Sequence, residues 1–150
     1  MKSDKNVRYK LNPVDRSVKL PSNLGRDLFC WGIKSDSIDW TDPELGFHLG
    51  CLKSFFKIIK PKLDNFSTMT WADLQSRKSC HPMDVERIAP NSLRRLKEIF
   101  SNDVPETLYQ IDVPGQFGKH RIWGKKEGRV FYLIWNDPNH RVYPTYKRNT

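Results

Sequence analysis

The sequence predicts an α+β domain, with helices first and an antiparallel β-sheet last. Apolar residues recur at spacings of three and four through the middle of the chain, and from Glu106 onward they recur at a spacing of two. The closing block KHRIWGKKEGRVFYLIWNDPNHRVYPTY, residues 119–146, sets strand-like runs around short turns. Most of its polar positions are Lys, Arg, His or Tyr.

The elements follow in order. Residues 1–26 are polar and basic and are punctuated by Pro13 and Pro21, which predicts an arm of little regular structure, ordered on binding. The run DLFCWGI over 27–33 is apolar enough for a buried strand. Asp42-Pro43 offers a cap and a first-turn proline, so a helix is expected to start there. Leu45, Leu49, Leu52, Phe56 and Ile59 would form its buried face and Lys53, Lys57 and Lys60 its wet one; Pro61 would end it. Thr70 and Asp73 have capping-box spacing for a second, shorter helix with Trp71 and Leu74 inward. Residues 79–85 read as a loop. Pro90-Asn91-Ser92 starts a third helix that buries Leu93, Leu96, Ile99 and Phe100 and turns Arg94, Arg95 and Lys97 outward.

The sheet is expected from Glu106. A strand in which Leu108, Gln110 and Asp112 alternate with Tyr109, Ile111 and Val113 precedes a loop at Pro114-Gly115 and Gly118. Residues 119–124 form the next strand and KKEG at 125–128 a hairpin turn. VFYLIW at 130–135 is the central, doubly buried strand, Asp137-Pro138-Asn139 another turn, and 140–144 a last strand. The domain division is thus an arm over 1–26 and one α+β domain over 27–150.

The chain has 150 residues and a net charge of +9, and the excess sits at its two ends. Residues 1–26 carry seven Lys/Arg against two Asp, and residues 118–150 carry eight against two acids; the middle holds eleven against thirteen. Such asymmetry favours a polyanion, either nucleic acid or a membrane surface, and the interleaved aromatics point to nucleic acid. No apolar run approaches the roughly 20 residues that a membrane-crossing helix needs, and no apolar leader opens the chain, so a cytoplasmic location is expected. Cys30, Cys51 and Cys80 are odd in number and far apart, which predicts isolated small apolar residues rather than disulfides or a metal site. His81 beside Cys80 lacks an obvious third ligand, and His48 is expected to pack among leucines. No Gly-rich phosphate loop, G-x-S-x-G or H-E-x-x-H occurs, and no cofactor is implied.

The segment HRIWGKKEGRVFYLIWNDPNHRVYP, preceded by a helix, resembles the late strands of the RelE/ParE superfamily of bacterial toxins over residues 91–147. The resemblance implies a RelE-like fold and metal-independent mRNA cleavage in the ribosomal A site, set in a toxin–antitoxin or phage-defence pair and neutralised by an antitoxin protein. ParE-like members act on gyrase instead, so the fold alone does not fix the activity. Arg121 matches the strand arginine that contacts phosphate, and either Tyr143 or Tyr146 the late tyrosine.

RNA cleavage without a metal needs a base for the 2′-OH, a cation for the phosphorane and an acid for the leaving oxygen. Strand alternation places Lys119, Arg121 and Trp123 on one side of their strand, and Arg141 and Tyr143 on one side of the last. Lys119, Arg121, Arg141 and Tyr143 would then line an open sheet face. His140 is either a proton carrier or phosphate contact, or a turn histidine held by Asp137, and His120 is structural. The expected catalytic set is Arg121, Arg141, Tyr143 and His140. Lys119, Lys125, Lys126, Tyr146, Lys147 and Arg148 would contact RNA. Trp123 and Trp135 read as core. The alternative is a non-catalytic protein that binds nucleic acid or inhibits a macromolecule.

Overall fold

The computed structural model describes residues 27–115 and 118–144. The arm expected over 1–26 and the residues from 145 onward, with Tyr146, Lys147 and Arg148, lie outside the described residues, as does the Lys119 side chain. The architecture is mixed α+β around one five-stranded sheet. The strands are β1 (Cys30–Gly32), β2 (Cys80–Asp84), β3 (Thr107–Gly115), β4 (Gly118–Glu127) and β5 (Val130–Asp137), in spatial order β1-β5-β4-β3-β2. The β3-β4-β5 meander is antiparallel, as the period-two pattern implied. The strand expected over 27–33 forms as β1, but it joins β5 in parallel, with Cys30 opposite Val130. β2 replaces the loop expected over 79–85 and pairs antiparallel with β3. Its Pro82 cannot donate to a ladder and is tolerated because β2 is an edge strand.

The first helical region departs most from expectation. Asp42 caps only a turn: its Oδ1 accepts from Glu44 N and Leu45 N at 2.9 Å each. Helical structure begins with a 3₁₀ turn at Leu49–Cys51, continues through α1 (Leu52–Ser54) and a π-helical segment Phe55–Ile59, and ends as α2 (Lys60–Phe66). Pro61 does not close the helix: it follows directly on the π-helical segment, whose widened turn accommodates a residue without an N–H. Ile59, Leu63 and Phe66 face the core, whereas Leu49, Leu52 and Phe56 are exposed. The later start and the wide π turn rotate the stripe away from the face that a straight helix would bury.

Local capping chemistry held elsewhere. Thr70 Oγ1 accepts from Asp73 N at 3.1 Å at the start of α3 (Trp71–Ser76), with Trp71 and Leu74 fully buried. α4 (Pro90–Phe100) starts at its proline and buries Leu96, with Leu93, Ile99 and Phe100 packed against the same core. The hairpin between β4 and β5 turns at Gly128-Arg129, with Gly128 at φ 59°, so Lys125 and Lys126 belong to a strand and not to the expected turn. The expected last strand over 140–144 is irregular, although it is pinned: Asp137 accepts from Arg141 N (2.8 Å) and Val142 N (3.0 Å), and Val142 O accepts from Ala89 N (2.7 Å).

Among the described residues both faces of the sheet are covered. One side buries Phe29, Leu63, Phe66, Trp71, Ile111 and Phe131 under the first helices. The other buries Leu96, Leu108, Trp123, Ile134, Trp135 and Val142 under α4 and the 85–89 and 137–144 segments. A β-bulge explains why β5 reads as almost wholly apolar. Trp123 opposes Trp135 and Gly124 opposes Leu133, leaving Ile134 as an extra residue, so Ile134 and Trp135 both enter the second core. β5 lies between β1 and β4, and the middle strand is β4. Gly124 is required beside the bulge, since a Cβ there would come within 2.5 Å of both the Phe131 ring and Tyr132 O.

The long connection after β1 is held by one carboxylate. Arg95, expected outward, turns inward: its Nε and Nη2 each donate to Asp39 at 2.9 Å. Trp135 Nε1 (3.0 Å) and the backbone N–H groups of Thr41 and Asp42 (3.1 Å each) also donate to Asp39, which is 1% exposed. Asp39→Ala is expected to cost about 1–3 kcal/mol, since it leaves the buried Trp135 indole N–H without its acceptor while Arg95 keeps Glu98 and Thr41; the shift in urea midpoint measures it. Gly124→Ala is expected to lower stability by about 1–3 kcal/mol through overpacking, read in the same titration.

Candidate functional site

The first turn of α4 faces the turn that follows β5. Between them, with the 42–45 loop as third wall, opens a cleft of about 510 Å³. His140, Arg141 and Asn139 come from the turn, Asn91, Ser92 and Arg95 from α4, and Asp42, Glu44 and Leu45 from the loop. Each wall follows from local chemistry. Pro138-Asn139 makes the turn, His140 takes the left-handed backbone at φ 55°, and Asp137 fixes the next two N–H groups. Leu93 N already bonds Ala89 O, so the N–H groups before it mark the positive end of the helix.

The cleft is not uniformly basic. Arg95 is committed to Asp39 and also meets Glu98 Oε2 at 2.9 Å. Arg141 Nη1 lies 3.1 Å from Glu44 Oε2, with both side chains about half exposed (55% and 51%). An ion pair so exposed contributes little, so Arg141 can exchange Glu44 for an incoming anion at small cost.

The residues expected to act together are separated. His140 and Arg141 line the cleft. Arg121 does not: its side chain is only 12% exposed, its Nη1 donates to Tyr143 O at 2.9 Å and its Nε sits 3.8 Å from Asp112 Oδ1 without a hydrogen bond among the described residues. The covered sheet face is the reason, and the expected patch of Arg121, Arg141 and Tyr143 on an open face does not form. Arg121 instead ties the terminal segment to the sheet. Tyr143 is half-buried; its hydroxyl accepts from Arg87 Nη2 at 3.4 Å. Lys125 and Lys126 point to opposite faces. Lys125 lies over the Phe100 ring (4.9 Å) and pairs with Glu127 (2.7 Å), and Lys126 lies over Trp71 (4.9 Å).

Sequence reasoning missed Arg95, Asp39 and Arg87, because a charged residue on a helix or in a loop carries no mark of its partner. His120 is structural, as expected. Asn136 Nδ2 donates to Cys51 Sγ at 3.4 Å, which turns Oδ1 toward His120 and places the proton on its Nε2. Among the described residues no group of three or more His, Cys, Asp or Glu is placed to hold a metal ion. No described helix is long and apolar enough to cross a membrane. The chain matches no protein-family model, no curated protein and no solved structure.

Two buried groups contribute to the response to acid. Burial lowers the pKa of His120, only partly offset by its bond to Asn136 and the charge of Asp137. Burial alone would raise that of Asp39, but the Arg95 fork, Trp135 and the backbone donors together hold it below the usual carboxylate range. Both folded values lie below the unfolded ones. The His120 contribution is therefore complete above about pH 6.5 and is lost as pH falls toward its folded value; that of Asp39 is lost below about pH 3.9. The urea midpoint is expected to fall between pH 7 and 5, and His120→Gln to flatten that fall.

Proposed function

We propose that the chain is a RelE-like, RNA-directed toxin: a metal-independent mRNA endoribonuclease that works on the ribosome and is held in check by an antitoxin protein. The observation that carries this reading is the cleft that joins His140 and Arg141 to the first turn of α4. The net charge of +9 supports it, since a polyanion is drawn to such a chain. The late-strand resemblance supplies the substrate class.

In this reading a scissile phosphate enters the cleft and displaces Glu44 from Arg141. The guanidinium fork faces two phosphate oxygens and offsets the charge that grows on the phosphorane. His140 moves the proton between the 2′-OH and the leaving 5′ oxygen. Tyr143, engaged with Arg87, is the weaker candidate for that step. Arg121 acts as a positioning residue, since it holds the carbonyl of Tyr143 two residues beyond Arg141.

The second reading, a non-catalytic nucleic-acid-binding protein, is favoured by the mixed charge of the cleft, where Asp42 and Glu44 stand beside the two arginines. Inducible expression in bacteria with mapping of RNA ends separates the two. Arrest with new mRNA ends is expected, and His140→Ala or Arg141→Ala should lower cleavage by about 10²-fold or more. Full cleavage by the double variant overturns the assignment. Salt-sensitive RNA binding without new ends selects the binding reading.

A further inference from the structure

An apolar groove of about 200 Å³ opens elsewhere and shares no residue with the cleft. Ile33, Ile38, Trp40, Phe47, Leu52 and Phe56 form much of its wall. Ile33, Trp40, Leu52 and Phe56 are each about half exposed, an unusual amount of large apolar surface in one place. The titratable groups of the wall are His48 and Cys51. His48 is exposed and not packed among leucines as its sequence neighbours suggested, and Cys51 is not an isolated apolar residue.

The thiol and the imidazole form a built pair. Cys51 Sγ donates to Gly46 O at 3.7 Å, lies 3.9 Å from His48 Nε2 and 4.0 Å from Nδ1, and accepts from Asn136 Nδ2 at 3.4 Å. Asn136 is buried and fixed by His120, so that donor is held in place. The His48 ring packs closely on Gly50, where a Cβ would come within 3.1 Å of it. The other cysteines differ. Burial pushes the Cys80 thiol up to about 12, and Cys30 Sγ only approaches Trp31 O at 3.9 Å.

We propose that Cys51 is an acyl-accepting nucleophile and that the groove holds the hydrocarbon chain of an acyl thioester donor. A neighbouring base and a hydrogen-bond donor are the features that make a thiol reactive, and an apolar wall selects a donor with an apolar chain. The Cys51 S–H turns from Gly46 O to His48, which takes its proton, and the Asn136 amide N–H steadies the thiolate. The sulfur attacks the donor's carbonyl carbon; its new C–S bond forms as the donor's C–S bond breaks. The departing thiolate takes the proton back from His48, so no redox change and no further reactant is needed.

The test treats the full chain with octanoyl-coenzyme A or acetyl-coenzyme A and follows adducts by intact mass and peptide mapping. One octanoyl adduct on Cys51, removed by neutral hydroxylamine, is expected. Octanoyl transfer should exceed acetyl transfer by about tenfold or more. His48→Gln should slow it by about tenfold or more. Phe56→Asp should slow octanoyl transfer while leaving Cys51 alkylation by iodoacetamide unchanged, which separates loss of the groove from loss of the fold. Adducts spread over Cys30 and Cys51, equal rates with both donors, or a rate indifferent to His48→Gln would each overturn the proposal.

Discussion

A single buried carboxylate organises this molecule. Asp39 accepts five hydrogen bonds, from Arg95 on α4, from Trp135 on β5 and from the loop that carries it. An ionised group in an apolar interior is tolerable only when its oxygens are satisfied in this way. Because the donors come from three regions, the bonds hold the 34–47 loop against both the helix and the sheet. Leu45 O accepting from Asn136 N, and Ile134 O accepting from Asp39 N, extend the clamp along β5. Both concavities are consequences. Asp42, Glu44 and Leu45 wall the cleft at α4, while Ile38, Trp40 and Phe47 wall the apolar groove. One connection, held once, shapes two sites.

The cleft and its supports divide the labour among residues that are neighbours in sequence. Asp137, Arg121 and Ala89 fix the backbone after β5, and His140 and Arg141 project from that fixed backbone. The pinned segment compensates for its lack of ladder bonds by side-chain anchors. A histidine at positive φ is uncommon, and here the Asp137 bonds hold the turn that needs it.

Much of the fold was legible where local chemistry decides. The Thr70 cap, the Pro90 start and the period-two meander all appear as the sequence reads. The failures came where long-range packing decides. The apolar stripe of Leu49, Leu52 and Phe56 has helical spacing, but spacing does not say which side the body of the protein will occupy. β2 was hidden by Pro82, a residue that bars a central strand and is harmless at an edge. Ile134-Trp135 read as two-sided burial because a bulge leaves no trace in a hydropathy pattern. The site was half legible. His140 and Arg141 were named and do share a cleft, whereas Arg121 was given an open face that α4 and the 137–144 segment cover.

The pairing of Cys30 with Val130 also constrains how the chain acquires its shape. During synthesis β1 emerges a hundred residues before the strand that receives it. Until then Phe29 lacks Phe131 and Asp39 lacks Trp135. Contacts so distant in sequence carry the largest closure entropy and form late. The segment from Phe29 to Phe47 therefore waits, covered only in part by Phe66 and Trp71, until β5 arrives, and in that interval it is exposed to chaperones and to aggregation.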